Sequence, residues 1–366
     1  FFVGTTAGDA VADEQLSILG SGKVGIGTQS PTQLLDVNGT VELNNLTIAG
    51  SQGSDGQVLT STGSGVGWED AAGGGVTFKV FGTSSIMVGD DATGTINAAN
   101  YDTGLGVDVF ADLTTGDYNT AIGYAALSNT TTANENTSVG YESMLSNITG
   151  QYNTAFGSNA LFGNTTASEN TAIGRSALYT CSTGAKNTIV GYRAGHNITT
   201  GSSNVCIGSE AGTAMTTPTG NVAIGQDALK VQTTAQYNTA IGYQAGVALS
   251  SAIGVVLVGY QAGDAITTGD TNICVGGFSM DGGAGKTGYG CTHVGHAGQR
   301  TGTSGNFNDS MGIDAYKNPT TGASNVCIGS GSGNVMTTGG GNSLVGRTAG
   351  VAISTGSFNF CFGIVS

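Results

Sequence analysis

From residue 119 the chain alternates short apolar phrases with polar, glycine-rich stretches on a fixed beat. Asn119-Thr120-Ala121-Ile122-Gly123-Tyr124 returns as Asn136-Thr137-Ser138-Val139-Gly140-Tyr141, seventeen residues later. The glycine recurs at 123, 140, 157, 174, 191, 208, 225, 242, 259 and 276, and after one step of nineteen at 295, 312, 329, 346 and 363. Gly106 and Gly89, preceded by Leu105 and Val88, mark two degenerate earlier copies. A fixed period of this length signals a repeat architecture.

The residue before each glycine is large and apolar, as in Ile122, Val139, Phe156, Ile173, Ile207, Ile241, Met311 and Phe362. This column reads as the core of one coil. Thr or Val two positions earlier (Thr120, Thr171, Val205, Val222) lies on the same side, because strand side chains alternate. The column between them is then expected to face outward, where a solitary solenoid would be polar. It is small and apolar instead: Ala121, Ala155, Ala172, Cys206, Ala223, Ala240, Cys274, Cys327 and Cys361. A strand apolar on both faces needs a second cover, so this column is expected to form the interface with neighbouring copies of the same chain.

Three residues after the glycine runs another small column (Ala126, Ala160, Ala177, Ala194, Ala211), read as a second short strand or a corner. Tyr124, Tyr141, Tyr192, Tyr243 and Tyr260 follow the glycine directly and are expected to face outward. Asn119, Asn136, Asn153 and Asn170 open the phrase where Asn tolerates a left-handed backbone and can build an Asn ladder. The remainder of each copy is Thr, Gly, Ser and Asn, the composition of turns. No 3.6-residue period appears, and seventeen residues are too few for common helical repeats. The expected fold is all-β, a β-solenoid or β-roll with two short strands per coil. Seventeen such coils would span about 80 Å, with stability supplied by stacking.

Residues 1–75 lie outside this register and predict a small β-hairpin collar module. A strand falls within Gly22–Pro31, one hairpin is centred on Asn38-Gly39, and a second spans 56–70 with the sole tryptophan, Trp68. Residues 76–84 read as a linker and 85–366 as the repeat. The opening "FFVGTTAGDA" has neither an initiator Met nor a signal peptide, and the last coil stops at "FGIVS", so a fragment or processed product is expected.

Composition narrows the function. The chain holds 65 glycines and three prolines, is only 9% charged, and is still 38% apolar, so it buries surface in small portions. Its net charge of -14, with ten Lys and Arg, offers no basic stripe for phosphates, and nucleic acid is not an expected partner. No apolar run approaches the roughly 20 residues of a membrane span.

Two resemblances rest on these motifs. "GKVGIGTQSPTQLLDVNGTVELNN" and "DGQVLTSTGSGVGWED" resemble modules of tail-fibre and appendage proteins of tailed phages, especially marine cyanophages. The "NTAIG" coils resemble the β-roll heads of trimeric autotransporter adhesins, although the period here is longer than is usual there. The resemblance implies an intertwined or side-by-side homotrimer. It also implies a non-enzymatic fibre of a virion tail, meeting other tail proteins at one end and a host glycan or protein at the other. A bacterial surface adhesin or extracellular filament is the alternative, and a polysaccharide depolymerase a third reading.

The candidate chemistry is sparse. His293 lies in the small column with His296 nearby, and three copies could bring imidazoles to a transition-metal ion on a shared axis; a hydrogen-bonded histidine is the plainer reading, and no other cofactor is expected. The cysteines in that column are two or more coils apart, too far for disulfides within one chain. The five tyrosines could contact glycans or simply pack as a surface ladder. Glu210, Asp227 and Asp314 recur at coil spacing without a paired acid and base. "GGAGKTG" at 282–288 lacks the strand-to-helix context of a phosphate loop, and "GDDATG" at 89–94 lacks the remaining calcium ligands.

Overall fold

The computed structural model describes residues 16–26, 28, 30–37, the strands Gln57–Ser61, Val66–Asp70, Phe78–Phe81 and Ser85–Val88, and residues 99–282, 285–300 and 304–365. It divides into two compact units, Phe1–Gly75 and Val76–Ser366. The described residues contain no helix.

In the first unit, Leu16–Ile18 pairs antiparallel with Val24–Ile26, which pairs parallel with Leu35–Val37. The Asn38-Gly39 hairpin falls outside the described residues. The second expected hairpin is present: Gln57–Ser61 pairs antiparallel with Val66–Asp70, placing Leu59 opposite Trp68.

The second unit is a parallel β-solenoid. Its pairing begins inside the segment expected as a linker, where Phe78–Phe81 runs antiparallel to Ser85–Val88. From there each strand pairs parallel and in register with the strand of the next coil, through Thr103–Leu105, Thr120–Ile122 and Thr137–Val139 to Phe360–Phe362. The sixteen three-residue strands from Thr103–Leu105 onward make a ladder about 70 Å long at ~4.8 Å per step.

Each of these strands stops at the repeated glycine, whose φ lies between 124° and 145°. Side chains avoid that region, and a Cβ on Gly140 would also collide with the carbonyl of Gly157 in the next coil. The turn that follows replaces the expected second strand. Its second and fourth residues are left-handed even where they are not glycine, as at Ala125 (φ 53°), Leu127 (φ 51°), Asn159 (φ 56°) and Leu161 (φ 52°). The alternation aims amides at opposite neighbours. Ala125 N donates to Val107 O in the preceding coil at 2.9 Å, and Leu127 N to Ser143 O in the following coil at 3.2 Å. Stacking thus satisfies backbone groups that an isolated turn would leave to water.

The two faces of the strand are the reverse of the sequence expectation. Ala121, Ala155, Ala172, Cys206, Ala223, Ala240, Cys274 and Cys327 are completely buried inside a single chain, and Cys361 on the last strand is half-buried. These side chains line the coil interior, so a second chain does not reach them. The large residue before the glycine points outward: Phe156 is 56% exposed, Met311 53%, Ile328 41% and Ile173 38%. The interior is too narrow for both. Ser138 Oγ donates across the coil to Ser143 O at 2.9 Å, and the fourth residue after the glycine (Leu127, Leu161, Leu178) fills the remaining space.

The Asn ladder is present and buried. Asn136 donates from both its backbone N and Nδ2 to Asn119 Oδ1 at 3.1 Å, and Nδ2 also reaches Gly150 O at 2.9 Å. The left-handed residue is the one before the asparagine, such as Tyr118 (φ 61°) or Glu135 (φ 55°), rather than the asparagine itself. Val255 and Cys291 interrupt the column, each still donating its backbone N to the asparagine below.

The apolar interior falls into two clusters. One runs from Met87 to Cys291 and the other gathers Tyr316, Cys327, Met336, Leu344 and Ala349. Between them lies a polar seam in which His293, Gln299 and Ser310 hydrogen-bond to one another's neighbourhood: His293 Nδ1 meets Ser310 Oγ at 2.7 Å, and Gln299 Nε2 donates to Ser310 Oγ at 3.0 Å. The seam follows the single nineteen-residue coil.

Candidate functional site

The outward strand face is the most extended surface feature. Its first column is Thr120, Thr137, Thr154, Thr171 and Thr188, passing to Val205 and Val222; its second is the large apolar column that includes Ile122, Phe156, Ile173, Ile207 and Ile241. Both are dominated by β-branched side chains, which suit a flat pleated surface. The result is a stripe with apolar character that runs along the solenoid.

The tyrosines expected to face outward do so, with Tyr124 46%, Tyr141 51% and Tyr260 50% exposed. They stack on one another: Tyr124 and Tyr141 have ring centroids 5.4 Å apart at 16°, and Tyr243 and Tyr260 5.3 Å apart at 13°. Each ring therefore covers one face of its partner. Tyr192 stands apart from those pairs beneath the Arg175 guanidinium, 5.8 Å from its centroid. Two further ladders escaped the sequence reading: Tyr101 on Tyr118 at 4.8 Å, and Phe162, Tyr179 and His196 in series at 4.9 and 5.0 Å. Their seventeen-residue spacing was the available signal.

The two histidines are not brought together. His293 is completely buried, accepts a hydrogen bond at Nε2 from Gly298 N at 3.2 Å, and therefore donates from Nδ1 to Ser310 Oγ. Both ring nitrogens are engaged inside one chain, one within its own coil and one with the next, and burial pushes the pKa down to about 4, which keeps the ring neutral. The placement of His293 on a surface shared by three chains is corrected accordingly. His296 lies on the turn with its ring edge-on to Phe278 at 5.6 Å. Among the described residues no group of three or more His, Cys, Asp or Glu is placed to hold a metal ion.

All six cysteines are free. Burial pushes the thiols of Cys206 and Cys327 up to about 12 and that of Cys181 to about 11, so they remain protonated small hydrophobes at neutral pH. Lys286, from the glycine-rich "GGAGKTG" segment, is an interior residue. Its Nζ donates to Gln299 O and Arg300 O at 2.7 Å each, and burial lowers its pKa to about 8. The amine holds the longer coil against its neighbour instead of facing an incoming phosphate. It also lines a small cavity with Ile266, Cys291 and Asn308.

The recurring carboxylates are partnered by lysines. Lys230 reaches Glu210 at 2.6 Å and Asp227 at 2.9 Å, while Lys317 reaches Asp314 at 3.1 Å. The "GDDATG" segment lies outside the described residues. No protein-family model, curated protein or solved structure matches the chain.

Proposed function

We propose that the solenoid is the stiff shaft of a homotrimeric, non-enzymatic fibre on a virion tail, which joins other tail proteins and carries a recognition surface toward a host glycan or protein. The observation that carries this reading is the outward stripe. A single chain leaves Ile, Leu, Phe and Met of this face exposed along its length, and such contiguous apolar surface marks an association site. A strip about 70 Å long and one three-residue strand (~10 Å) wide offers roughly 700 Å² per copy, close to one partner's share of a standard interface. A second copy presents the same columns at the same pitch, so parallel chains match coil for coil. The number of three and the virion setting rest on the resemblance of the coils and the front module.

Sedimentation tests the association and its face. The outward pair Ile207→Glu and Ile241→Glu should leave the β circular dichroism intact and yield monomers, whereas Ala223→Glu, which puts a charge inside the coil, should abolish the β signal. If the outward double variant sediments like the parent, the stripe is not the interface. Immunogold labelling with an antibody to the purified chain should decorate virion tails; label confined to bacterial envelopes would replace this reading with the surface-adhesin one.

A further inference from the structure

Between Glu169 and Glu210 the sequence contains no Asp or Glu, yet it carries Arg175, Lys186, Arg193 and His196 in a chain of net charge -14. Three of these, Arg175, Arg193 and His196, lie on the turns of two successive coils. Arg193 is the second residue after Gly191 and His196 the fifth. The same two positions hold Asp227 and Lys230 after Gly225, 2.9 Å apart, and Asp314 and Lys317 after Gly312, 3.1 Å apart. The repeat therefore brings the second and fifth side chains together across the turn. Where those coils pair an acid with a base, the coil after Gly191 holds an arginine and a histidine at the same two positions, the His196 ring meeting Asn197 Oδ1 at 2.9 Å through Nδ1.

No neighbour supplies the missing negative charge. Glu210, next in the column above Arg193, is turned to Lys230 at 2.6 Å. Among the described residues Arg193 makes no ion pair, and its Nε is buried without a hydrogen-bond partner. Arg175 sits one coil below, joined to Arg193 by the bond from Arg193 N to Arg175 O at 3.0 Å, with its guanidinium over the Tyr192 ring. His196 caps the series of rings begun by Phe162 and Tyr179.

We infer that this band, built by Arg175, Arg193, His196, Tyr179 and Tyr192, binds an acidic sugar residue, with the arginines taking its carboxylate or sulfate and the aromatic edges its ring. A guanidinium fork sets two N–H donors against two oxygens of a carboxylate or sulfate, and aromatic side chains supply apolar contact to sugar C–H groups. A polynucleotide fits poorly, because the charge is confined to about two coils and the acidic rod repels a long polyanion elsewhere. The inference does not require the chain to self-associate, since the band lies on the turn and not on the strand face.

Calorimetric titration of the full chain tests it with three probes: an oligogalacturonate, a heparin-derived sulfated oligosaccharide and a neutral maltooligosaccharide. At least one anionic probe should bind and the neutral one should not, and either anionic preference supports the site. Arg175→Ala with Arg193→Ala should weaken that binding roughly tenfold or more per arginine. The same variant should keep the parent's circular dichroism and sedimentation. Equal binding by parent and variant would overturn the assignment. So would neutral and anionic probes binding alike, tighter binding of a single-stranded oligonucleotide, or no binding of any probe up to about 10 mM.

Discussion

The asparagine column shows how one side chain serves a repeat. Oδ1 accepts from the coil above while Nδ2 donates to the coil below and to a carbonyl fourteen residues on, as in Asn153 with Asn136 and Ala167. A carboxylate can only accept. Asp102 holds this place at the first well-defined coil, fully buried, and accepts from Asn119 N at 2.7 Å. Burial raises its pKa from the ordinary 3.8 to about 6, against the opposing effect of that hydrogen bond. The folded chain thus prefers the acid form, whose stabilisation is complete below the unfolded value of 3.8 and is lost as pH rises through about 6. Asp102→Asn, which restores the donor, should raise the thermal midpoint above pH 6, with the difference from the parent narrowing toward pH 4. A difference that does not change with pH would remove the carboxyl from this account. Gly298 shows the same local fitting in steric terms. It replaces the usual alanine of its column because a Cβ there would strike the His293 ring.

At the scale of the coil, most interiors are filled by exchange between two positions. In the seventeen-residue coils, where the fourth residue after the glycine is Leu or Met, the seventh is Cys, Thr, Asn or Gln, as in Leu178 with Cys181 or Leu229 with Gln232. Where the fourth is Gly, the seventh is Ile, Met or Leu, as in Gly195 with Ile198, Gly212 with Met215 and Gly246 with Leu249. A Cβ on Gly212 would lie 2.8 Å from Cys206 Sγ and 2.9 Å from Met215 Sδ. Leu178→Gly should therefore cost about 3–5 kcal/mol in urea unfolding, and adding Cys181→Ile should recover roughly half. Independent, additive losses would show that the two positions do not share one space.

The period, the coil boundaries, the outward tyrosines and the asparagine ladder were all legible in the sequence, because each depends on one residue recurring at one place. The orientation of the strand was not. Hydrophobicity ranks Ile122 above Ala121 as a core residue, but the coil's cross-section admits only the smaller side chain beside Leu127, and apolar character alone carries no measure of available width. The second strand was misread for a related reason. Leu127 and Ala125 carry no sign of a left-handed backbone, which bonds to neighbouring coils impose on them. The basic band at Arg175 and Arg193 was visible as a gap in acidic residues, yet it acquires meaning only when the fold shows which positions of the turn touch.

At the scale of the whole solenoid, each coil contacts only the coils beside it, so stability is a chain of nearest-neighbour couplings. Most of those couplings share the same apolar interior, asparagine ladder and β pairing. Around His293, Gln299 and Ser310 the interior is hydrogen-bonded instead of apolar, and Cys291 replaces the ladder asparagine. A series of springs under load yields at its softest member. Stretched from its ends between optical traps, a single chain should rupture first at this seam and release the block beginning near Gly295, before the longer block gives way at higher force. One rupture for the entire rod would mean that the seam bears load as well as its neighbours. The polar core near one end thus gives an otherwise uniform filament a preset breaking point.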